Sequence, residues 1–411
     1  MEDKHLGVYI HIPFCASKCD YCDFYSLSHH ENHMELYQHT LLRHIEESAS
    51  TMSPYYIDSV YFGGGTPSYY GARRLMELFN ALKQAGKVLK SAEVTVECNP
   101  DSVRGRDLRL MRKEGVNRIS LGAQSANDEL LKIIGRRHDF AQVKKAVKDI
   151  RAAGFENLSV DLIYGLPNQT KADWADTLAR VIDLEPEHIS CYGLKLEEGT
   201  PLFEEYFRSP LIPTDDEQAD MYLYAAETLA HYNYGQYEIS NFAKRGKESR
   251  HNLKYWSLED YLGLGPGAHS CIGDVRYSFV RDLEKYIDGV NRDGNILDEY
   301  EKLDELDRAA EYIMLGMRRS RGISGKEYYQ IYRSDFTPIE KLLRSYEKDG
   351  WTRQTSGRWC FTPAGFLISN ILIGSLLEAQ AQHRISANPW MEESFARDVG
   401  RVELPEDVGI Y

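Results

Sequence analysis

Three cysteines, Cys15, Cys19 and Cys22, fall within "HIPFCASKCDYCDF", and no fourth follows nearby. A Cys-x3-Cys-x2-Cys loop is thiolate metal chemistry, because soft sulfur donors this close together serve zinc or an iron–sulfur cluster. Zinc takes four ligands, so a zinc site would need His11 or His29 as well. A 4Fe–4S cube needs no fourth residue. Three thiolates leave one iron open to a small molecule that binds through amino and carboxylate groups. The spacing, and the position of the loop directly after a strand-like run, favour the cluster.

A second chemical word is "GGGTP", Gly63 to Pro67. It lacks the spacing of a dinucleotide or phosphate loop. Three absent side chains let a backbone approach a ligand closely, and exposed N–H and C=O groups can meet a charged or zwitterionic group. A tight strand-to-helix turn is the plainer reading.

The elements that must position these words alternate. Strands are expected at 7–12, 58–64, 92–98, 118–124, 157–167 and 188–196. Helices are expected at about 33–49, 71–84, 104–114, 138–153 and 171–184. The strands look rich in Val, Ile, Leu and Tyr with little polar alternation, as for strands buried on both faces. Repeated β–α units predict a parallel sheet with right-handed crossovers, and six of them fit a partial (β/α)6 barrel. Notable polar groups stand at the strand ends: the cysteine loop, the triple glycine, Glu97, Gln124, Asp161 and Lys195. In a β/α barrel these ends share one face, where the active site lies.

The C-terminal third reads differently. Helices are expected near 281–292, 303–319, 325–333 and 336–349, then two short strands around "SGR" and a last amphipathic helix at 364–379. This resembles a winged-helix unit, read here as a packing or partner domain. The domain expectation is therefore a barrel over 1–235, a connecting region over 236–300, a mostly helical winged unit over 301–380 and a tail over 381–411.

The 411 residues carry a formal charge of −14, which argues against a nucleic-acid partner. The basic run "RGRDLRLMRK" reads as one solvated helix face. Seven cysteines, an odd number, do not form a secreted disulfide framework. No apolar signal core or membrane-length run is apparent, so a cytoplasmic protein is expected, with peripheral membrane contact left open.

The triplet after a first strand resembles the signature of the radical S-adenosylmethionine superfamily. "YIHIPFC", "YFGGGTPS", "VECNPD", "LGAQS", "LIYGLP", "YEISNFA" and "HNLKYW" resemble the branch that holds oxygen-independent coproporphyrinogen dehydrogenases and heme chaperones. The resemblance covers about residues 7–373. It implies a radical-SAM barrel, a 4Fe–4S cluster on Cys15, Cys19 and Cys22, and S-adenosylmethionine on its open iron. Implied cofactor contacts are Tyr9, Tyr21, Gly64, Gly65, Thr66, Glu97, Gln124, Arg136 and Asp161, with Lys195 as a further candidate.

Two departures separate the members of this branch. The dehydrogenases carry a fourth cysteine where this chain has Phe24, and a longer arm before the cluster. Both favour the chaperone side. "HNLKYW" then implies a heme element of His251, Asn252, Tyr255 and Trp256: an axial imidazole with flat aromatic faces beside it. A packed core histidine is the structural alternative. Many relatives are expected to have a cysteine where this chain has Ser249. The implied function is heme delivery to acceptor proteins, respiratory ones among them, by a protein that could dimerise and has no catalytic residue of its own. The competing reading is a radical enzyme acting on a tetrapyrrole.

Overall fold

The computed structural model describes residues 4–387, so the expected tail at 381–411 lies mostly outside the described residues. Two compact units divide the chain. The first runs to Lys254 and resumes over Glu259–Leu303, and the second takes Tyr255–Leu258 and the chain from Asp304. Among the described residues no helix is long and apolar enough to cross a membrane.

Six parallel strands form the first unit's centre: β1 (His5–Ile12), β2 (Tyr56–Gly64), β3 (Lys87–Cys98), β4 (Arg118–Gln124), β5 (Leu158–Tyr164) and β6 (His188–Gly193). They are hydrogen-bonded in chain order, as six right-handed β–α units of a partial barrel require. The connecting helices are α1 (Met34–Glu47), α2 (Ala72–Ala85), α3 (Gly105–Glu114), α4 (Phe140–Ala152) and α5 (Lys171–Ile182). Local signals start several of them. Asp139 with Gln142, and Thr170 with Asp173, form capping boxes at α4 and α5.

The sheet then extends past the parallel strands on both sides. Six more strands follow: β7 (Gly235–Gln236), β8 (Asn241–Ala243), β9 (Tyr261–Leu264), β10 (His269–Ile272), β11 (Val275–Phe279) and β12 (Leu297–Lys302). The order is β12-β11-β10-β9-β1-β2-β3-β4-β5-β6-β8-β7. β9 runs parallel to β1, while β8 lies antiparallel to β6. These strands were not anticipated. Most span two to five residues, and β12 is the fully exposed "LDEYEK", whose charges suit a sheet edge.

One expectation needs correction. The parallel strands are buried on both faces, yet they alternate cleanly between polar and apolar residues. Val8, Ile10, Val60, Phe62, Val94, Val96, Ile119, Leu121, Val160 and Leu162 face the helices and form the main core. Tyr9, His11, Ser59, Tyr61, Glu93, Thr95, Glu97, Arg118, Ser120, Ser159, Asp161, His188 and Ser190 fill the inner face. Each apolar side chain removed from water contributes about 1.5–3 kcal/mol. The inner row depends instead on mutual hydrogen bonding.

The second unit has helices at Glu305–Met317, Gly325–Tyr332 and Thr337–Lys348, a hairpin of Thr352–Thr355 with Arg358–Phe361, and helices at Pro363–Leu367 and Ser369–Ala387. Ser356 and Gly357 both have positive φ, as a two-residue hairpin turn demands.

Candidate cluster and cofactor site

β1 delivers the chain into the cysteine loop. Phe14–Cys15 pairs in parallel with Leu27–Ser28 and closes the loop at its base. Within it, Cys22 N donates to Cys19 O at 3.1 Å, and Asp20 N donates to Ile134 O at 3.2 Å. All three thiols are free of disulfides. Cys15 is buried and accepts a hydrogen bond from Thr66 Oγ1 at 3.4 Å, and Arg136 Nη1 stands 3.4 Å from Cys19 Sγ. Burial pushes the Cys15 and Cys22 thiols up, Cys22 to about 11. Such thiols lose their protons when a metal supplies positive charge.

The donor set fits a cluster better than zinc. His11, the nearer fourth ligand for zinc, has both ring nitrogens engaged: Nδ1 lies 2.9 Å from Tyr9 OH and Nε2 lies 2.8 Å from Tyr25 O. His29 is exposed in the loop beyond.

The triple glycine is used for close approach. Gly64 has φ of +109°, and a Cβ there would lie 2.5 Å from the His11 ring. Gly65 N donates to Ile12 O and Thr66 N to Phe14 O, each at 2.8 Å, which presses the exit of β2 against the cysteine loop. Gly64 N also donates to Glu97 Oε2 at 3.1 Å, while Tyr61 OH donates to Glu97 Oε1 at 2.9 Å. Burial pushes the Glu97 carboxyl up to about 7, and the Tyr61 and Gly64 hydrogen bonds only partly offset it. A buried carboxyl at this value is poised to ionise when a cation arrives.

Asp161 is held by three hydroxyls: Ser190 at 2.6 Å, Ser120 at 2.8 Å and Ser159 at 3.1 Å. Gln124 sits where the β4–β5 register slips, with φ of 64°. This irregularity turns the last residue of β4 out of the regular pleat. Arg136 turns inward and donates from Nη2 to Gly122 O at 2.6 Å and Asn99 Oδ1 at 2.9 Å. Burial opposes its charge, but the Tyr21 hydroxyl and the Cys19 sulfur outweigh that and raise its pKa. Its Nε is buried with no hydrogen-bond partner among the described residues. Tyr21 packs beside Leu130, Leu131 and Ile134. A cleft of about 260 Å³ opens here, lined by Cys19, Thr66, Ser68, Asn99 and Arg136 among others.

Lys195 pairs with Glu197 at 3.0 Å. Two residues of the site were not assigned from sequence. Asn99 bridges Arg136 and Thr66, donating to Thr66 Oγ1 at 3.1 Å. Its signal was its place two residues after Glu97 in "VECNPD". Tyr61 is the other; its signal was the inward phase of β2.

The "HNLKYW" helix, Arg250–Trp256, carries the boundary between the two units. His251 is buried inside the first unit. Its Nδ1 lies 2.9 Å from Ser59 Oγ, its N–H donates to Glu93 Oε1 at 3.1 Å, and its ring stacks on Tyr61 at 5.3 Å. Burial, then Lys254 and Arg118, lower its pKa to about 3. Asn252 and Trp256 are buried too, and Tyr255 is half-buried. To meet an iron, His251 would have to leave this pocket.

Residues 9–181 match the radical SAM superfamily and residues 303–368 match the HemN C-terminal domain. The chain is 32% identical to the heme chaperone HemW of Bacillus subtilis over 374 residues, covering 90% of this chain and 99% of that protein. It is 31% identical to the HemW of Escherichia coli over 370 residues, covering 90% and 97%. The solved structure of Escherichia coli coproporphyrinogen III oxidase HemN, described as a radical SAM enzyme, shares the fold. It has a TM-score of 0.81 at 24% identity over 91% of this chain and 90% of that one. With HemW relatives above 30% identity matched over nearly their whole length, the chain belongs to the HemW family of radical S-adenosylmethionine proteins.

Proposed function

We propose that this protein is a heme chaperone that carries a 4Fe–4S cluster, binds S-adenosylmethionine and heme, and delivers heme to acceptor proteins. The observation that carries this reading is the near full-length match to heme chaperones. Beside it stands Phe24 in the place of the dehydrogenases' fourth cysteine. When bound, the cluster offers one iron without a thiolate, which can take the amino and carboxylate groups of S-adenosylmethionine.

The chain's own residues divide the remaining work. Cys15, Cys19 and Cys22 hold the cluster, and Thr66 orients the Cys15 sulfur. Glu97 and the backbone of Gly64 and Gly65 receive the ammonium end. Arg136, fixed by Asn99 and Gly122, faces the carboxylate, since a guanidinium pairs with a carboxylate in two-point geometry. Asp161 and Gln124 serve the ribose, with Tyr9 and Tyr21 closing the pocket. Heme is taken by the His251, Asn252, Tyr255 and Trp256 element after His251 leaves Ser59. The acceptors are respiratory proteins, and the working form is a homodimer that is cytoplasmic or peripheral to a membrane.

The deciding experiment is anaerobic. The cluster is reconstituted, S-adenosylmethionine is added, and heme and coproporphyrinogen III are titrated separately while the Soret band and porphyrin products are followed. Stoichiometric heme binding without a product is expected, and His251→Ala should weaken it while leaving the cluster spectrum unchanged. Turnover of either tetrapyrrole would make the protein an enzyme instead. Unchanged heme titration in His251→Ala would move the heme site elsewhere.

A further inference from the structure

A column of rings lines the inner face of the sheet between the cysteine loop and the His251 pocket. Tyr25, three residues beyond Cys22, stacks on His11 at 6.1 Å. His11 Nδ1 meets the Tyr9 hydroxyl at 2.9 Å. Tyr9 stacks on Tyr61 at 6.2 Å, and Tyr61 stacks on His251 at 5.3 Å. Tyr61 stands at a junction: its hydroxyl donates to Glu97 and its ring covers the imidazole. It is buried, so water does not readily take over either contact. Gly63 keeps the space open, since a Cβ there would lie 3.0 Å from both the Tyr61 and Tyr9 rings.

We propose that Tyr61 is a positioning residue that couples the ammonium subsite at Glu97 to the imidazole pocket of His251. The proposal rests on the reading of Glu97 given above. A carboxyl beside a bound ammonium is ionised, and a phenol donates to an ionised carboxylate about twice as strongly as to a neutral one. Occupancy of the cofactor site therefore fixes the Tyr61 hydroxyl and holds its ring against His251. Since His251 must leave that ring to reach an iron, the coupling is negative: the cofactor holds the imidazole in and opposes heme. Linkage makes the effect reciprocal, so heme weakens cofactor binding by the same factor.

The test compares wild type with Tyr61→Phe, which keeps the ring and removes the hydroxyl, both with the cluster reconstituted. Amide hydrogen exchange of residues 249–254 is measured with and without S-adenosylmethionine at concentrations saturating for each protein. The cofactor should slow exchange about 5-fold or more in wild type and leave it unchanged in Tyr61→Phe. Heme affinity should fall by a similar factor in wild type only. A merely structural role for the hydroxyl would shift exchange equally with and without cofactor. Equal protection in the two proteins, or none in wild type, would overturn the coupling. Glu97→Gln, measured alongside, separates the premises. Undiminished S-adenosylmethionine affinity in that variant would overturn the Glu97 reading. Weakened affinity there, with Tyr61→Phe protected like wild type, would sink the coupling alone.

Discussion

Arg136 and Arg137 are adjacent in "IIGRRH", yet only one enters the site. Arg137 reaches Asp101 at 3.7 Å from a half-exposed position, whereas Arg136 is turned onto Gly122 O, Asn99 and Cys19. The surface ion pair is worth little, but the inward guanidinium is fixed before any ligand arrives. The three thiols are an all-or-none set by the same logic of fixed donors. Cys19→Ser should abolish the cluster, because two thiolates do not hold a stable cube. Iron and sulfide content after anaerobic reconstitution checks this, and an unchanged iron–sulfur spectrum would end the cluster assignment. Glu97 makes a second prediction. Its folded carboxyl sits near 7 against the usual 4.5, so the folded apo protein binds the extra proton between those values. Stability from this group therefore falls as pH rises through that window, by on the order of 3 kcal/mol. Glu97→Gln should remove only this opposing share, so urea unfolding of the apo proteins at pH 5 and pH 8 should show stability rising more steeply with pH in the variant than in wild type.

At the scale of elements, the six parallel strands and five helices were legible because burial and periodicity point the same way there. The inner polar row was equally present in the letters, as Tyr9 and His11 between Val8, Ile10 and Ile12 show, but the abundance of apolar residues hid its phase. Which hydroxyl meets which carboxylate was not legible, since Ser120 and Ser190 join Ser159, Asp161's neighbour on β5, only through registers between separate strands. The burial of His251 was hidden for a related reason. It depends on a seven-residue helix finding Ser59 and Glu93, both more than 150 residues earlier in the chain. Ser249, odd at the level of motif, becomes intelligible here. It is buried, its carbonyl accepts from Leu253 N at 3.0 Å, and its Oγ accepts from Asn252 N at 3.4 Å. Ser249 is the N-cap of the helix, a task for which a hydroxyl is well suited. Ser249→Ala should cost about 1 kcal/mol and speed amide exchange in residues 250–254. No change in either would leave the serine without a structural role.

For the whole molecule, a polar interior must also be a neutral one. Five histidines, His11, His44, His138, His188 and His251, are buried, and burial is the largest cause lowering each pKa. His11, His44 and His138 fall to about 4, His251 to about 3, and His188 lies well below the ordinary value. A histidine with a depressed folded pKa stays neutral in the fold while its unfolded counterpart takes a proton below 6.5. Its share of stability is therefore present above 6.5 and is lost as pH falls toward the folded value. At pH 5 each such group costs up to about 2 kcal/mol. Glu97 works in the opposite direction over part of the same range, but five groups outweigh one. The apo protein should thus lose stability from pH 7.5 to pH 5, seen as a falling urea midpoint. His44 lies away from the cofactor site, with Nδ1 2.6 Å from Tyr286 OH. His44→Gln should therefore reduce the acid slope by one histidine's share without altering cluster loading. A midpoint that holds steady or rises toward pH 5 would mean that water reaches these rings and that the inner face is not dry.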